Sequence, residues 1–120
     1  MQIKKDKLLK TTKMWDGVKY KNLNISNPEI TVLKITVPQG QVLKMHKHVI
    51  VNVAYVEQGV LKVETDDNKS IEIHEGECLA EVMNKYHFGK NAGNVPLKLV
   101  IFYIGEKGLP LSEDFFTVNE

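Results

Sequence analysis

The sequence predicts an all-β protein of antiparallel strands, and three observations lead to this fold class. Short runs rich in β-branched or alternating apolar residues recur along the chain. Turn sequences such as "PQG", "EQG" and "DDNKS" separate these runs at short intervals. Helix signals are weak almost everywhere. Many short strands with regular turns and almost no helix indicate an antiparallel sandwich or a closed barrel.

The strand candidates follow one another along the chain. The first 25 residues could hold a short strand or a helical turn around "LLKTTKMW". "ITVLKITV" at 30–37 is β-branched and ends at a turn, and 42–57 is a long apolar and alternating run. The next candidates are "VLKVET", "IEIH", "CLAEV" and "PLKLVIFYIG", and the final "LPLSEDFFTVNE" is an arm or a last short element.

Bulk properties exclude several classes of protein. The 120 residues fit one domain, 1–120, and 42% hydrophobic residues are enough for a core. The formal charge of +1 predicts no binding to nucleic acid or to an anionic membrane. No run approaches the length of a membrane span, and no apolar run follows the first lysines as in a signal peptide. Cys78 is the only cysteine, so no intrachain disulfide forms, and we expect a cytoplasmic protein.

Two of the four histidines lie close together in "KMHKHVIVN". Side chains two apart on a strand share a face, so His46 and His48 are expected to point together. Lys44 and Asn52 have the same parity. Buried polar groups without partners are costly, so this face should line water, a metal or a ligand rather than an apolar core.

The spacing around this pair forms a longer pattern. Five residues separate Gly40 from His46, one separates His46 from His48, three separate His48 from Asn52, and six separate Asn52 from Gly59. In these positions the sequence resembles the first motif of the cupin family, in which a glutamate stands where this chain has Asn52.

A second pattern resembles the other cupin motif. "GECLAEVMNKYHFGKN" matches its spacing from Gly76 through His87 to Asn91. Val82 stands where the motif has a proline and Asn84 where it has a glycine, but asparagine can also adopt a left-handed turn conformation. The two motifs form a core at 40–91 with N- and C-terminal arms, and the resemblance implies an antiparallel cupin-type jelly-roll β-barrel.

The resemblance implies a divalent metal ion inside the barrel. Carried over by position, its ligands are His46, His48 and His87, with Asn52 as a weak ligand or an outer partner. Imidazoles suit iron, zinc, nickel or copper, and manganese is a further candidate. Without the glutamate the ion keeps its full charge, which favours an anionic ligand or a bound hydroxide. Strand parity points Lys44 inward, where it would add to that preference, but its long side chain could equally reach the mouth of the barrel.

Two functions follow from this resemblance. One is a metal-assisted enzyme on a small polar or anionic molecule, since some dioxygenases of the family also use three histidines without the glutamate. The other is a non-catalytic barrel that binds a small ligand, with metal optional. The chain has no arginine, so a thiol dioxygenase with an arginine anchor is disfavoured.

Several other residues are candidates for the pocket, and no general acid or base can be assigned among them. Tyr55, Tyr86 and Tyr103 could place a hydroxyl there, although core packing is the simpler interpretation. We expect His74 and Glu57 at the surface, Cys78 as a small buried hydrophobe and Trp15 as a packing anchor. The direction of Glu81 stays open.

The C-terminal stretch predicts a homodimer. Phe115 and Phe116 are adjacent aromatic residues in a short terminal segment, where they would be unfavourable in water unless they dock on another surface. Small cupins commonly dimerise by sheet packing or by exchange of terminal strands.

Overall fold

The structure is a computed structural model and describes residues 1–114. Its elements are β1 (Pro28–Val37), β2 (His46–Lys47), β3 (Val51–Gln58), β4 (Val60–Thr65), β5 (Ser70–His74), β6 (Cys78–Ala80), β7 (His87–Asn91), β8 (Leu97–Glu106) and β9 (Glu113–Asp114). All pairings between these strands are antiparallel. The predicted all-β antiparallel fold is confirmed. Phe115 and Phe116 lie outside the described residues.

The strands form two sheets that face each other. One sheet has the order β1-β8-β3-β6 and the other β5-β4-β7-β2-β9. The inner faces alternate with the outer ones along each strand, as in β4, where every second residue is buried. The apolar residues of both inner faces form one core, with Val56 and Leu99 from the first sheet and Leu61 from the second among them.

The long predicted strand at 42–57 is two shorter ones. A bend at 49–50 separates β2 from β3, which starts at Val51. As a result β2 belongs to the five-stranded sheet and β3 to the four-stranded one. Even-numbered residues still face inward on both sides of the bend, which keeps His48 and Asn52 on the buried face.

One strand was not predicted, and one predicted element is absent. The strand β7, "HFGKN", was not predicted, because it contains no β-branched residue and has a central glycine. The N-terminal segment around "LLKTTKMW" contains neither a strand nor a helical turn. Lys13 instead bridges to Lys19 across a turn at Gly17, and the backbone N–H of Trp15 donates to the carbonyl of Ala80 at 2.9 Å.

The motif residues that carry no imidazole shape the turns. Gly40, Gly59 and Gly76 all have positive φ, and Asn84, in the place of a motif glycine, has a φ of 58°. The left-handed conformation expected for Asn84 is thus confirmed. Asn91 donates from Nδ2 to the carbonyls of Val37 and Val95 and accepts from the N–H of Gly93. It therefore ties the turn after β7 to the end of β1.

Candidate metal centre

Three histidines meet between the sheets. His46 of β2 is the direct cross-strand partner of His87 of β7, so their side chains lie on the same face. His48 follows two residues later on the same side. The ring centroids are 4.9 Å apart for His46 and His48, 4.5 Å for His46 and His87, and 5.0 Å for His48 and His87.

Backbone carbonyls fix the orientation of each ring. Nδ1 of His46 is hydrogen-bonded to the carbonyl oxygen of Lys44. Nδ1 of His87 is 3.0 Å from the carbonyl oxygen of Lys85, and Nδ1 of His48 is 2.9 Å from that of Leu111. A carbonyl can only accept, so we assign the proton to Nδ1 in all three rings. Nε2 is then the nitrogen with the free lone pair, as a metal ligand requires.

Burial keeps two of these imidazoles neutral. His48 and His87 are 3% and 1% exposed. Desolvation lowers the pKa of each from 6.5 to about 4, and neighbouring His46 contributes in the same direction. A neutral imidazole is the form that binds a metal ion, so at neutral pH these ligands need not lose a proton first.

The donor set fits a metal ion. One ligand nitrogen from each of His46, His48 and His87 lies within 4.8 Å of the others. Nε2 of His87 and Oδ1 of Asn52 are buried without a hydrogen-bond partner, and buried polar atoms rarely stay unpaired. An ion at the centre of the cluster would satisfy the unpaired nitrogen, and Asn52 offers a neutral oxygen beside it.

A cavity of about 380 Å³ opens beside the cluster. Its walls are mostly apolar and come from both sheets, with Leu33, Ile35, Leu61 and Ile101 among them. The polar lining comprises the three histidines, Asn52, Glu81, Tyr103, Lys44, Ser112 and Asp114. This volume suits a small molecule.

Lys44 lies at the mouth of the cavity, one of the two positions that the sequence leaves open. It lies outside the strands, its side chain is exposed, and it borders the cavity at the rim. Its backbone carbonyl is the group that contacts His46. The side chain of Lys44 can therefore attract an anion to the opening, while its backbone carbonyl orients the ring of His46.

Of the three tyrosines that were candidates, only Tyr103 lines the cavity. Its ring centroid is 5.9 Å from that of His48, and burial, with the charge of Glu81 as a second cause, raises the pKa of its hydroxyl. Tyr55 pairs with Cys78 on the outer face of β3 and β6, and Tyr86 lies under the ammonium of Lys47. Tyr103 can thus donate a hydrogen bond to a ligand.

The peripheral residues lie where they were expected or close to it. His74 is exposed, with Nε2 3.6 Å from Oε1 of Glu72. Glu57 is also exposed, with Oε1 3.7 Å from Nζ of Lys34. Cys78 is half-buried in β6, and burial raises the pKa of its thiol, so it is a packing residue rather than a thiolate.

The sequence leaves the direction of Glu81 open, and in the structure its side chain lies beside the histidines. Glu81 follows β6, is 7% exposed, and lines the cavity with Oε2 3.7 Å from Nε2 of His87. Parity places residue 81 on the face of Leu79, but only the structure shows that this face belongs to the core. Burial raises the pKa of its carboxyl group. Because the pKa of His87 is about 4, this contact is not an ion pair at neutral pH.

The profile of the cupin domain family matches residues 33–103, more than half of the chain. The chain belongs to the cupin family. The matched residues include the whole histidine cluster of this cupin and most strands of both sheets. No curated protein matches the sequence.

Solved structures share the fold of this cupin. A cupin-like protein from Thermotoga maritima is 16% identical with a TM-score of 0.64, covering 76% of this chain and 68% of that chain. The polyketide cyclase RemF from Streptomyces resistomycificus is 14% identical with a TM-score of 0.61, covering 78% and 64%. The oxalate decarboxylase of Lactobacillus farciminis is 16% identical with a TM-score of 0.61, covering 72% and 26%. At such identities the likeness concerns the fold alone.

The described residues contain no helix of the length and apolarity that crossing a membrane requires.

Proposed function

We propose that this cupin is a metal-dependent enzyme that holds one divalent ion with His46, His48 and His87 and acts on a small polar or anionic molecule. The observation that carries the proposal is the shared orientation of the three rings. In each ring the Nδ1–H donates a hydrogen bond to a backbone carbonyl, which leaves Nε2 free to bind the ion. Three protein ligands with an open position are the pattern of catalytic sites.

The ion is iron, zinc, nickel, copper or manganese. Imidazole nitrogens suit the first four well, and the neutral donor set leaves a high positive charge at the centre. When bound, the ion supplies a Lewis acid or, for a redox-active metal, a place for oxygen chemistry. The chain's own residues orient the substrate around it.

The cavity indicates the class of substrate. A polar or anionic end would face the histidine cluster, and an apolar body would contact Leu33, Ile35 and Ile101 of the opposite sheet. Tyr103 can donate a hydrogen bond to the polar end. The exposed side chain of Lys44 favours the entry of an anion. Oxalate, in the name of one similar structure, is an example of a small anion.

The decisive experiment is the metal content of protein purified without a histidine tag or chelators. We expect near-stoichiometric metal in the wild type, a strong loss in His87→Ala and no loss in His74→Ala, the matched change of an exposed histidine. A wild type that contains no metal and also refuses added iron, zinc, nickel, copper and manganese would refute the proposal. Oxygen consumption with each ion that binds then tests a dioxygenase against chemistry without oxygen.

A second candidate is a barrel that binds a small ligand without turnover. It is favoured by Asn52, which stands where the family motif has a glutamate and offers no proton-accepting carboxylate. Calorimetry that detects binding of a small anion to the metal-loaded protein, with no product formed from that anion, would support this second function over the first.

We also propose that the chain forms a homodimer through the outer face of the sheet β1-β8-β3-β6. Ile30, Val32, Phe102 and Ile104 are 71%, 52%, 44% and 44% exposed there. They are contiguous, because Ile30 pairs with Ile104 and Val32 with Phe102. Such exposed apolar patches mark interfaces. Light scattering after size-exclusion chromatography should give a dimer for the wild type and a monomer for Phe102→Lys, and a monomeric wild type would contradict it.

A further inference from the structure

The carboxylate of Glu81 has two oxygens in different surroundings. Oε1 accepts a hydrogen bond from Nε1 of Trp15 at 2.7 Å and one from the backbone N–H of Val82 at 3.0 Å. Oε2 receives neither of these bonds and lies 3.7 Å from Nε2 of His87, the nitrogen that has no partner. One oxygen is therefore anchored, and the other faces the histidine cluster.

This arrangement leaves a buried carboxyl group without a cation beside it. Within residues 1–114, no lysine forms an ion pair with Glu81. Burying an uncompensated carboxylate is costly. A divalent ion in the histidine cluster would take up the lone pair of His87 and give Oε2 a cation to bind.

We propose that Glu81 supplies the metal centre with the carboxylate that position 52 lacks, and that Trp15 is its positioning residue. This inference rests on the proposed function, since it needs an ion held by the three histidines. The family motif has its glutamate on β3, whereas here the carboxylate comes from the segment after β6. Asn52 keeps a neutral oxygen on the cavity side, where it can accept a hydrogen bond from a bound water or substrate.

Trp15 brings the N-terminal segment into the site. Its backbone N–H donates to the carbonyl of Ala80 at 2.9 Å, and its indole N–H donates to Glu81. The segment around Trp15 therefore holds both the backbone before Glu81 and the Glu81 side chain. An indole N–H is a donor only and its ring is rigid, which fixes the direction of Oε1. With Oε1 fixed, Oε2 is held beside His87, 3.7 Å from its Nε2.

The test is the affinity for Co²⁺, measured against a competing chelator together with the visible spectrum of the cobalt protein. Glu81→Gln keeps the size of the side chain and removes its charge, so we expect affinity to fall about 10- to 100-fold and the spectrum to change. Trp15→Phe keeps a ring and removes the N–H donor, and should cause a smaller loss of affinity. Glu57→Gln makes the same chemical change on the exposed exterior and should bind as the wild type does.

Thermal unfolding of the metal-free proteins separates this role from a structural one. If Glu81 is a metal ligand, Glu81→Gln should unfold at the same temperature as the wild type or higher, because the glutamine oxygen can still accept from Trp15 and Val82 and the buried carboxyl group is removed. A Glu81→Gln variant with a lower unfolding temperature, wild-type cobalt affinity and an unchanged spectrum would show that Glu81 only anchors Trp15, and would overturn the inference. A wild type that binds no Co²⁺ would instead refute the three-histidine site itself, and this inference with it.

Discussion

The metal-free protein should lose stability in mild acid because two of its histidines are buried as neutral rings. The pKa of His48 and of His87 is about 4 in the folded chain against an ordinary value of 6.5. Between these values the unfolded chain binds protons that the folded chain refuses, so the free energy of unfolding falls as pH falls. The stability associated with these two neutral rings is fully present above about pH 6.5 and is lost progressively as the pH falls towards 4.

The size of the effect follows from the two pKa values. Between pH 7 and pH 5, each ring should remove roughly 2 kcal/mol from the free energy of unfolding. Glu81 acts in the opposite direction, because burial raises its pKa and the folded chain then gains protons more readily as pH falls. A comparison of variants that all keep Glu81 removes its contribution.

Urea denaturation of chelator-treated protein at pH 7 and pH 5 measures this effect. His48→Asn and His87→Asn remove the titrating ring and keep an amide N–H that can reach the same carbonyl. We expect each variant to show about 2 kcal/mol less pH dependence than the wild type, while His74→Asn, a change of an exposed histidine, keeps the wild-type dependence. If all four proteins lose the same stability between the two pH values, the burial argument for the two rings is wrong.

Two further predictions concern the turns that frame the site. Asn91→Ala should lower the free energy of unfolding by about 2–4 kcal/mol, because it leaves the carbonyls of Val37 and Val95 without a donor. Urea denaturation measures it, and the neighbouring exposed Asn94→Ala should have little effect. Gly59→Ala should lower the free energy of unfolding more than Gly108→Ala does, although both glycines have a φ of 92°. Only at position 59 would the new Cβ come within 3.2 Å of backbone, at Leu97, so equal losses in stability would contradict the steric argument.

The sequence predicts the histidine cluster better than it predicts the strands that carry it. A two-residue period places His46 and His48 on one face wherever the strand ends, so the bend at 49–50 does not disturb the prediction. The spacing of the second motif adds His87 independently of any strand assignment. The strand β7 escapes prediction because its pairing with β2 and β4, rather than the propensity of "HFGKN", makes it a strand.

Glu81 could not be chosen as a site residue from its local sequence. Its short strand alternates Cys78, Leu79 and Ala80, three small or apolar residues that do not tell which face is buried. The choice depends on tertiary contacts, namely the covering of Ala80 by the Trp15 segment and the packing of Leu79 in the core. The carboxylate then points inward because parity follows Leu79.

The groups that orient the three rings show why motifs describe only part of such a centre. His46 and His87 use the same local device, in which Nδ1 contacts the carbonyl two residues earlier in "KMH" and "KYH". His48 instead depends on the carbonyl of Leu111, in a segment that reaches the site because β9 pairs with β2.

A backbone carbonyl is present at every residue, so no side-chain pattern can mark Leu111 as a partner of His48. The same holds for Trp15, whose contact with Glu81 spans much of the chain. The three histidines positioned to bind a metal therefore lie within residues 40–91, whereas two of the groups that orient the donors come from the segments on either side. Substitutions in those terminal segments should alter metal affinity while leaving every motif residue unchanged.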